Sequence, residues 1–126
     1  MKRTPLRKVS KNRIPTLRRK AWALFSVYIR RRDKNVCFTC GRFATHAGHF
    51  IHKDALDFDE LNVHAQCVRC NLYLSGNLAD YTIKMIDKYG RGKVDKLLAR
   101  RHEIHHWTVG ELEEIIERYK KATKEN

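Results

Sequence analysis

Two Cys-x-x-Cys pairs, Cys37 with Cys40 and Cys67 with Cys70, constrain what this chain can fold into. They account for all 4 cysteines of the 126-residue sequence. Each pair lets two thiolates reach one ion from a tight turn, and two pairs complete a tetrahedron. A chain of this length buries only a modest core and gains much from a metal staple. The sequence therefore predicts one structural Zn²⁺ held by the four cysteines, in a closed site that leaves no position for catalysis.

The alternative of disulfide bonds depends on the cellular compartment. Residues 21–29 are apolar and follow basic residues, like the core of a secretory signal. They are followed at once by three arginines, without a small-residue cleavage site, and are too few to span a bilayer. We therefore expect a reducing, cytoplasmic compartment, in which paired cysteines bind metal.

The charge balance indicates a polyanionic partner. The chain carries 27 Lys and Arg against 14 Asp and Glu, a net charge of +13. Nucleic acid is the commonest partner for such a surplus, and an anionic membrane surface is the main rival. We expect DNA rather than a membrane.

The first twenty residues contain no acid. Prolines at 5 and 15 and sparse apolar residues predict a flexible basic arm over residues 1–15, followed by one domain over 16–126. Thr16 is expected to cap a helix that runs to Arg32 with one apolar face. The basic residues towards the ends of this helix are the predicted DNA contacts: Arg18, Arg19, Lys20, Arg30, Arg31 and Arg32.

The remaining pattern predicts an α+β fold. Residues 36–77 are typical of two short strands with turns, and a helix is expected to open near Cys70. Asn77 is expected to cap a helix that stops at Gly90, and residues 93–101 to form a short helix. Thr108 and Glu111 have capping-box spacing for a last helix.

Several further motifs occur in a fixed order. They are Cys-x-x-Cys-Gly at 37–41, Ala-Gly-His-Phe at 47–50, Asn-x-His-x-Gln-Cys-x-x-Cys-Asn at 62–71, Ser-Gly-Asn at 75–77, Tyr81, and His-x-x-His-x-Trp-Thr at 102–108. Together they resemble the His-Asn-His (HNH, ββα-metal) nucleases, and within them the NinG/Rap recombination proteins of lambdoid phages. The resemblance covers residues from about 20 to 126.

This resemblance implies a zinc-stapled ββα-metal core with an N-terminal helix and C-terminal helices. It also implies a phage or prophage endonuclease that cuts branched recombination intermediates, such as a Holliday junction or a D-loop, in the bacterial cytoplasm. His49 would be the general base, because a histidine can be neutral at that pH. Asn71 would bind a catalytic Mg²⁺ or Mn²⁺, and Asn62 would hold the loop that orients His49.

One position departs from the pattern of the resembled family. Most HNH enzymes carry a metal-binding Asp before the catalytic histidine, and this chain has Gly48. Strand alternation places His46 on the same face, so His46 is a substitute ligand that would favour Mn²⁺. The alternative ligands are carboxylates of the following loop: Asp54, Asp57 and Asp59.

The other histidines allow more than one role. His64 lies within a matching motif and is a weaker candidate for the metal, ranked above His52. His102 and His105 also match, but with Trp107 they are equally explained by packing of the C-terminal helices.

Two other functions remain open at this point. One is a zinc module that binds nucleic acid without cutting it, and the other is an HNH enzyme of restriction, homing or toxin type that cuts ordinary duplex or RNA. Symmetric cutting of a four-way junction needs two active sites, so a homodimer is expected for that activity.

Overall fold

The computed structural model describes the backbone of residues 3–124 and the side chains of residues 13–124. Its helices and strands are, in chain order, α1 (Arg3–Arg32), β1 (His46–His49), β2 (Val63–Gln66), α2 (Leu78–Tyr89), α3 (Arg91–Ala99) and α4 (Val109–Lys124). A 3-10 turn covers Asp54–Leu56, and a single π-helical segment covers Arg69–Tyr73. The mixed α+β class and the two short strands are as predicted.

Helix α1 begins earlier than the sequence pattern predicted. It starts at Arg3 and contains Pro15, so the predicted start at Thr16 is wrong. Lys and Arg are good helix formers, and the helix continues through Pro15 although a proline removes one backbone donor and crowds the carbonyl four residues before it. The helix thus extends through most of the segment that was predicted to be a flexible arm. Residues 1 and 2 of that segment lie outside the described residues.

The chain divides into two compact units, where the sequence had suggested one domain over 16–126. One unit contains Ile29–His105, and the other contains the chain up to Tyr28 together with the segment from His106 onward. In the latter, the rings of Phe25 and Tyr119 meet edge to face with centroids 4.9 Å apart. Their contact stabilises this unit through an aromatic pair.

Helix α4 begins with the predicted capping box. The Thr108 hydroxyl accepts the Glu111 backbone N–H at 3.2 Å, and a Glu111 carboxylate oxygen accepts the Thr108 N–H at 3.0 Å. Two backbone donors at the helix start are thereby satisfied.

Strands β1 and β2 form an antiparallel pair in the unit of residues 29–105. His46 pairs with Gln66 and His49 with Val63. A buried apolar cluster holds the segment after β1 against the helices that follow the sheet: Phe50, Leu56, Tyr81, Met85, Val94 and Leu97. The sheet and its loop are therefore mounted on α2 and α3.

Helix α2 ends at Gly90 as predicted, but Asn77 does not cap it with its side chain. Asn77 has φ of 50°, and its Nδ2 donates to a carboxylate oxygen of Asp80 at 3.0 Å. Asparagine tolerates this left-handed conformation well. The residue therefore marks the boundary by its backbone conformation.

Arg32, one of the predicted DNA contacts, takes part in a hydrogen-bond network within the fold. Its guanidinium donates to the carboxylate of Asp33 and to the backbone carbonyls of Glu60 and Val63, at 2.8 to 3.1 Å. The Asp33 carboxylate also accepts the Ala65 N–H at 2.8 Å. This network ties the end of α1 to β2.

Candidate active site

The four cysteines converge as the sequence predicted. Their sulfur atoms all lie within 4.8 Å of one another, and Cys40 Sγ is 3.5 Å from Cys67 Sγ. Gly41, with φ of +80°, makes the turn after the first pair, where its N–H donates to the Cys37 carbonyl at 2.8 Å. An L-residue with a side chain would be strained in that conformation.

Burial, hydrogen bonding and crowding shift the pKa values of two of these thiols in opposite directions. Burial raises the pKa of Cys37, but hydrogen bonds from the Thr39 hydroxyl and from backbone N–H groups outweigh it and lower the pKa to about 6. Burial and the neighbouring sulfurs raise the pKa of Cys40 to about 12. Four sulfur donors this close suit Zn²⁺, whose charge stabilises adjacent thiolates. The cluster is thus a candidate zinc-binding site.

His49 lies at the end of β1 with its ring held by Asp57. Its Nε2 is 3.3 Å from the Asp57 carbonyl oxygen and 3.4 Å from a carboxylate oxygen of the same residue. Both oxygens accept, so the proton of the neutral ring sits on Nε2 and Nδ1 is the basic nitrogen. Burial lowers the pKa of His49 and outweighs the opposing effect of Asp57. The ring is therefore neutral at pH 7.

The role of Asp57 was missed from the sequence. Its loop was expected to be solvated, and nothing in the local pattern distinguishes Asp57 from Asp54 or Asp59. The Asp57 side chain is 19% exposed, whereas Asp59 pairs with Arg100 at 2.8 Å. Only the fold of the loop brings one of the three to His49.

Asn62 holds the loop between the strands, as expected. Its Oδ1 accepts the Ile51 N–H at 2.8 Å, and its Nδ2 donates to the carbonyls of Ile51 and Leu56 at 2.9 and 3.1 Å. The Asn62 carbonyl also accepts the N–H of Phe50, which directly follows His49. This fully buried amide therefore fixes both ends of the loop that carries Asp57.

Asn71 and His46 meet across β1 and the π-helical segment. Asn71 Nδ2 donates to His46 Nδ1 at 3.1 Å. Strand alternation thus located His46 correctly, but this ring nitrogen accepts a hydrogen bond from the Asn71 amide. A Cβ on Gly48 would lie 2.8 Å from Asn71 Oδ1 and 1.9 Å from Gln66 Oε1. Position 48 therefore accommodates only glycine in this arrangement.

Gln66 was not considered from the sequence. Its side chain is fully buried, and Nε2 donates to the Gly76 carbonyl at 2.9 Å and to the Thr39 hydroxyl at 3.2 Å. Its Oε1 has no hydrogen-bond partner among the residues that the structure describes. A strand pattern places alternate residues of β2 on one face, but does not say where the Gln66 amide points.

His64, the weaker of the two histidine candidates for the catalytic metal, has tyrosine hydroxyls at both ring nitrogens. Its Nε2 is 2.6 Å from the Tyr89 hydroxyl, and its Nδ1 is 3.0 Å from the Tyr81 hydroxyl. The Tyr81 O–H donates to the Gly48 carbonyl at 2.7 Å, so His64 Nδ1 carries the proton and Nε2 accepts from Tyr89. Both ring nitrogens are engaged.

The other predicted residues are placed as follows. Arg19, Lys20 and Arg31 are exposed on α1, and Arg18 and Arg30 are half-buried there. His52 is exposed, with its ring 5.7 Å from that of His49. Within the described part of the chain, no helix combines the length and apolar character that crossing a membrane requires.

Comparisons with known proteins agree on one family. The family model described as Bacteriophage Lambda NinG protein matches residues 3–126. The match to Protein ninG of Escherichia phage 933W is 37% identical over 107 residues and covers 79% of this chain and 53% of that protein. The ninG proteins of Escherichia phage lambda and Salmonella phage P22 are each 36% identical over 107 residues, covering 79% of this chain and 52% of theirs.

The chain thus spans about half the length of the curated relatives it matches. No solved structure matches it significantly.

Proposed function

Since the chain belongs to the NinG family of bacteriophage proteins, we propose that it is a metal-dependent endonuclease that cuts branched DNA. The observation that carries the proposal is the state of His49. Burial lowers the pKa of His49, its Nε2–H points to Asp57, and Nδ1 is the basic nitrogen of this tautomer. A buried, oriented and neutral histidine has the properties of a general base.

In the proposed reaction His49 Nδ1 takes a proton from the water that attacks the scissile phosphate. The Asp57 carboxylate, 3.4 Å from Nε2, stabilises the imidazolium that this step creates. Asn62 fixes the loop, so the ring need not reorganise during the step. Asn71 would hold Mg²⁺ or Mn²⁺, whose charge would stabilise the departing 3′ oxygen. The amide oxygens next to Gly48 fit a hard divalent ion of this kind.

Charge and family support DNA with several arms as the substrate. The net charge of +13 favours binding to a partner with many phosphates, and exposed basic residues lie along α1. Contacts of this kind position a protein by backbone charge and shape rather than by base sequence. Phosphates converge at a branch point, so we propose that a four-way junction or D-loop is preferred over linear duplex.

The test is cleavage of linear duplex, single-stranded, flapped and four-way DNA of matched sequence with Mg²⁺ or Mn²⁺. We expect the four-way junction to be cut fastest, and His49→Ala to lower the rate by about 10²- to 10⁴-fold while DNA affinity stays unchanged. His52→Ala is the matched control, because it removes a neighbouring exposed imidazole and should leave the rate near that of the parent.

Other results would identify a different function. Equal cutting of linear duplex and junction would favour an enzyme of restriction or toxin type. Tight binding without cutting at any divalent ion concentration would favour a zinc module that only binds nucleic acid. Cutting by His49→Ala at the parental rate would remove His49 as the base.

A further inference from the structure

The buried side-chain amide of Gln66 contains a hydrogen-bond acceptor that the described residues do not satisfy. Gln66 Oε1 has no partner among the described residues, and its side chain is fully enclosed. Burying a carbonyl oxygen without a partner destabilises a folded protein. Exchanging the amide nitrogen and oxygen would not help, because Nε2 donates to the Gly76 carbonyl, which can only accept. The orientation is therefore determined, and Oε1 is available to accept a hydrogen bond or to bind a cation.

A second amide oxygen faces the same small space. The point where a Cβ of Gly48 would stand is 1.9 Å from Gln66 Oε1 and 2.8 Å from Asn71 Oδ1. Asn71 Nδ2 lies 3.1 Å from His46 Nδ1, with Oδ1 of the same amide on the side of Gly48. A cation close to both carbonyl oxygens would offset the repulsion between them. Oxygen donors of this type suit hard divalent cations.

We propose that Gln66 Oε1 is a ligand of a hard divalent cation, Mg²⁺ or Mn²⁺, together with Asn71 Oδ1. In this arrangement His46 holds the Asn71 amide, and the glycine at position 48 is what allows the Gln66 side chain to reach the ion. The assignment rests on the proposed function, because the cation is the one that the nuclease reaction would use.

The direct test is a titration of the zinc-loaded protein with Mn²⁺. The electron paramagnetic resonance signal of free Mn²⁺ measures how much of the ion is bound. Gln66→Met keeps the length of the side chain but removes the oxygen, and should weaken binding by about tenfold or more. Gln66→Glu keeps an oxygen at the same place and should bind Mn²⁺ at least as tightly as the parent. Asp95→Asn, on an exposed face of α3, is the control for nonspecific carboxylate binding and should change nothing.

A purely structural role for Gln66 gives the opposite pattern. Both substitutions remove the N–H that the Gly76 carbonyl accepts, so both should then destabilise the fold and neither should change Mn²⁺ affinity in the folded fraction. Equal Mn²⁺ affinity of Gln66→Met and the parent would overturn the proposal and indicate a buried water instead. Absence of Mn²⁺ binding by the parent at millimolar concentration would overturn it too.

A positional exchange gives a second readout, which does not depend on Gln66→Met folding well. Gln66→Ala clears the space beside Gly48, and Gly48→Asp added to it supplies a carboxylate from the opposite strand. The double variant should recover the Mn²⁺ affinity lost in Gln66→Ala. Gly48→Asp alone should fail to bind, because its Cβ would collide with the Gln66 amide. No recovery in a folded double variant would count against the site.

The chain also offers a spectroscopic probe of the same atom. Gln66 is its single glutamine, so selective ¹³C labelling yields one side-chain carbonyl signal. Saturating Mg²⁺ should shift that signal in the parent and in His49→Ala alike. A shift without DNA cleavage would uphold the metal site and reject the nuclease, whereas cleavage without a shift would do the reverse.

Discussion

At the scale of single residues, the buried histidine at position 64 shows how burial and hydrogen bonding set a charge state. Phe38 stacks on its ring with centroids 4.0 Å apart, and hydroxyls of Tyr81 and Tyr89 occupy its two nitrogens. Burial, together with the nearby guanidinium of Arg32, lowers the pKa of His64 to about 3. The lowered pKa of His64 therefore makes the free energy of unfolding depend on pH.

The consequence is a pH-dependent stability. An unfolded histidine titrates near 6.5, so between pH 6.5 and about 3 the unfolded state binds a proton that the folded state refuses. The contribution of His64 is complete above pH 6.5 and is lost as the pH falls, by about 1.4 kcal/mol per pH unit. His64→Gln removes the titrating group, so its free energy of unfolding by urea should depend less steeply on pH between 6.5 and 5.

His52→Gln is the matched control, because it removes an exposed histidine and should keep the parental slope. Zinc content is measured at each pH, since thiolate protonation affects all three proteins alike. An unchanged slope in His64→Gln would show that another group carries the dependence.

At the scale of elements, the loop between β1 and β2 is the part that positions the proposed base. It carries Asp57, and the Asn62 amide closes it through three hydrogen bonds to Ile51 and Leu56. The π-helical segment after the second cysteine pair plays a similar part, because it brings Asn71 to β1. The loop and the π-helical segment thus hold side chains of the proposed site in position through their backbone and supporting hydrogen bonds.

Asn62→Ala tests the role of this loop. It leaves buried backbone groups of residues 51 and 56 unpaired, which costs about 1–3 kcal/mol of unfolding free energy. Amide hydrogen exchange over residues 51–57 should accelerate, and the proposed cleavage rate should fall while Mn²⁺ affinity is retained.

Asn35→Ala is the comparison variant, because Asn35 makes one side-chain bond, to the Ala44 carbonyl at 3.1 Å. It should not affect exchange in the loop. Unchanged exchange in Asn62→Ala would mean that packing of Leu56 alone holds the loop.

At the scale of the whole molecule, the four-cysteine cluster lies within the unit of residues 29–105 and bears on the stability of that unit. The buried cysteines form a small cluster with Ala44 and Ala65, apart from the larger apolar cluster around Tyr81. A cluster built from alanines and cysteines buries little apolar surface, so metal binding must supply much of its stability. All four cysteines lie in the unit of residues 29–105, so we expect loss of zinc to unfold this unit before the other.

Removal of zinc is the corresponding test. The purified chain should contain one Zn²⁺ by elemental analysis, and a strong chelator or Cys67→Ser should unfold residues 29–105, seen as lost amide protection in β1 and β2. Ser26→Ala, in the other unit, controls for the loss of a small polar group and should keep the metal. Folded protein with less than one zinc per chain would contradict the assignment.

Local patterns determined the parts of this protein that depend on neighbours in sequence. The cysteine spacing predicted a common sulfur cluster, the Thr108–Glu111 spacing predicted the start of α4, and Gly90 predicted the end of α2. These features involve turns and caps, whose partners lie within a few residues. The start of α1 was mistaken because a proline and a run of basic residues suggested irregular structure, whereas both are compatible with a helix.

Only the tertiary structure decided which polar groups face each other across long separations. The register of β1 and β2 places the Gln66 side chain beside Gly48 and the His64 ring against two tyrosines. The fold of the loop places Asp57 against His49. A sequence pattern states on which face of a strand a residue lies, but the direction of an amide or a ring nitrogen depends on partners tens of residues away. The sequence therefore suggested His49, Asn62 and Asn71 as residues of the candidate site. It did not show that Asp57 orients His49 or where the Gln66 amide points.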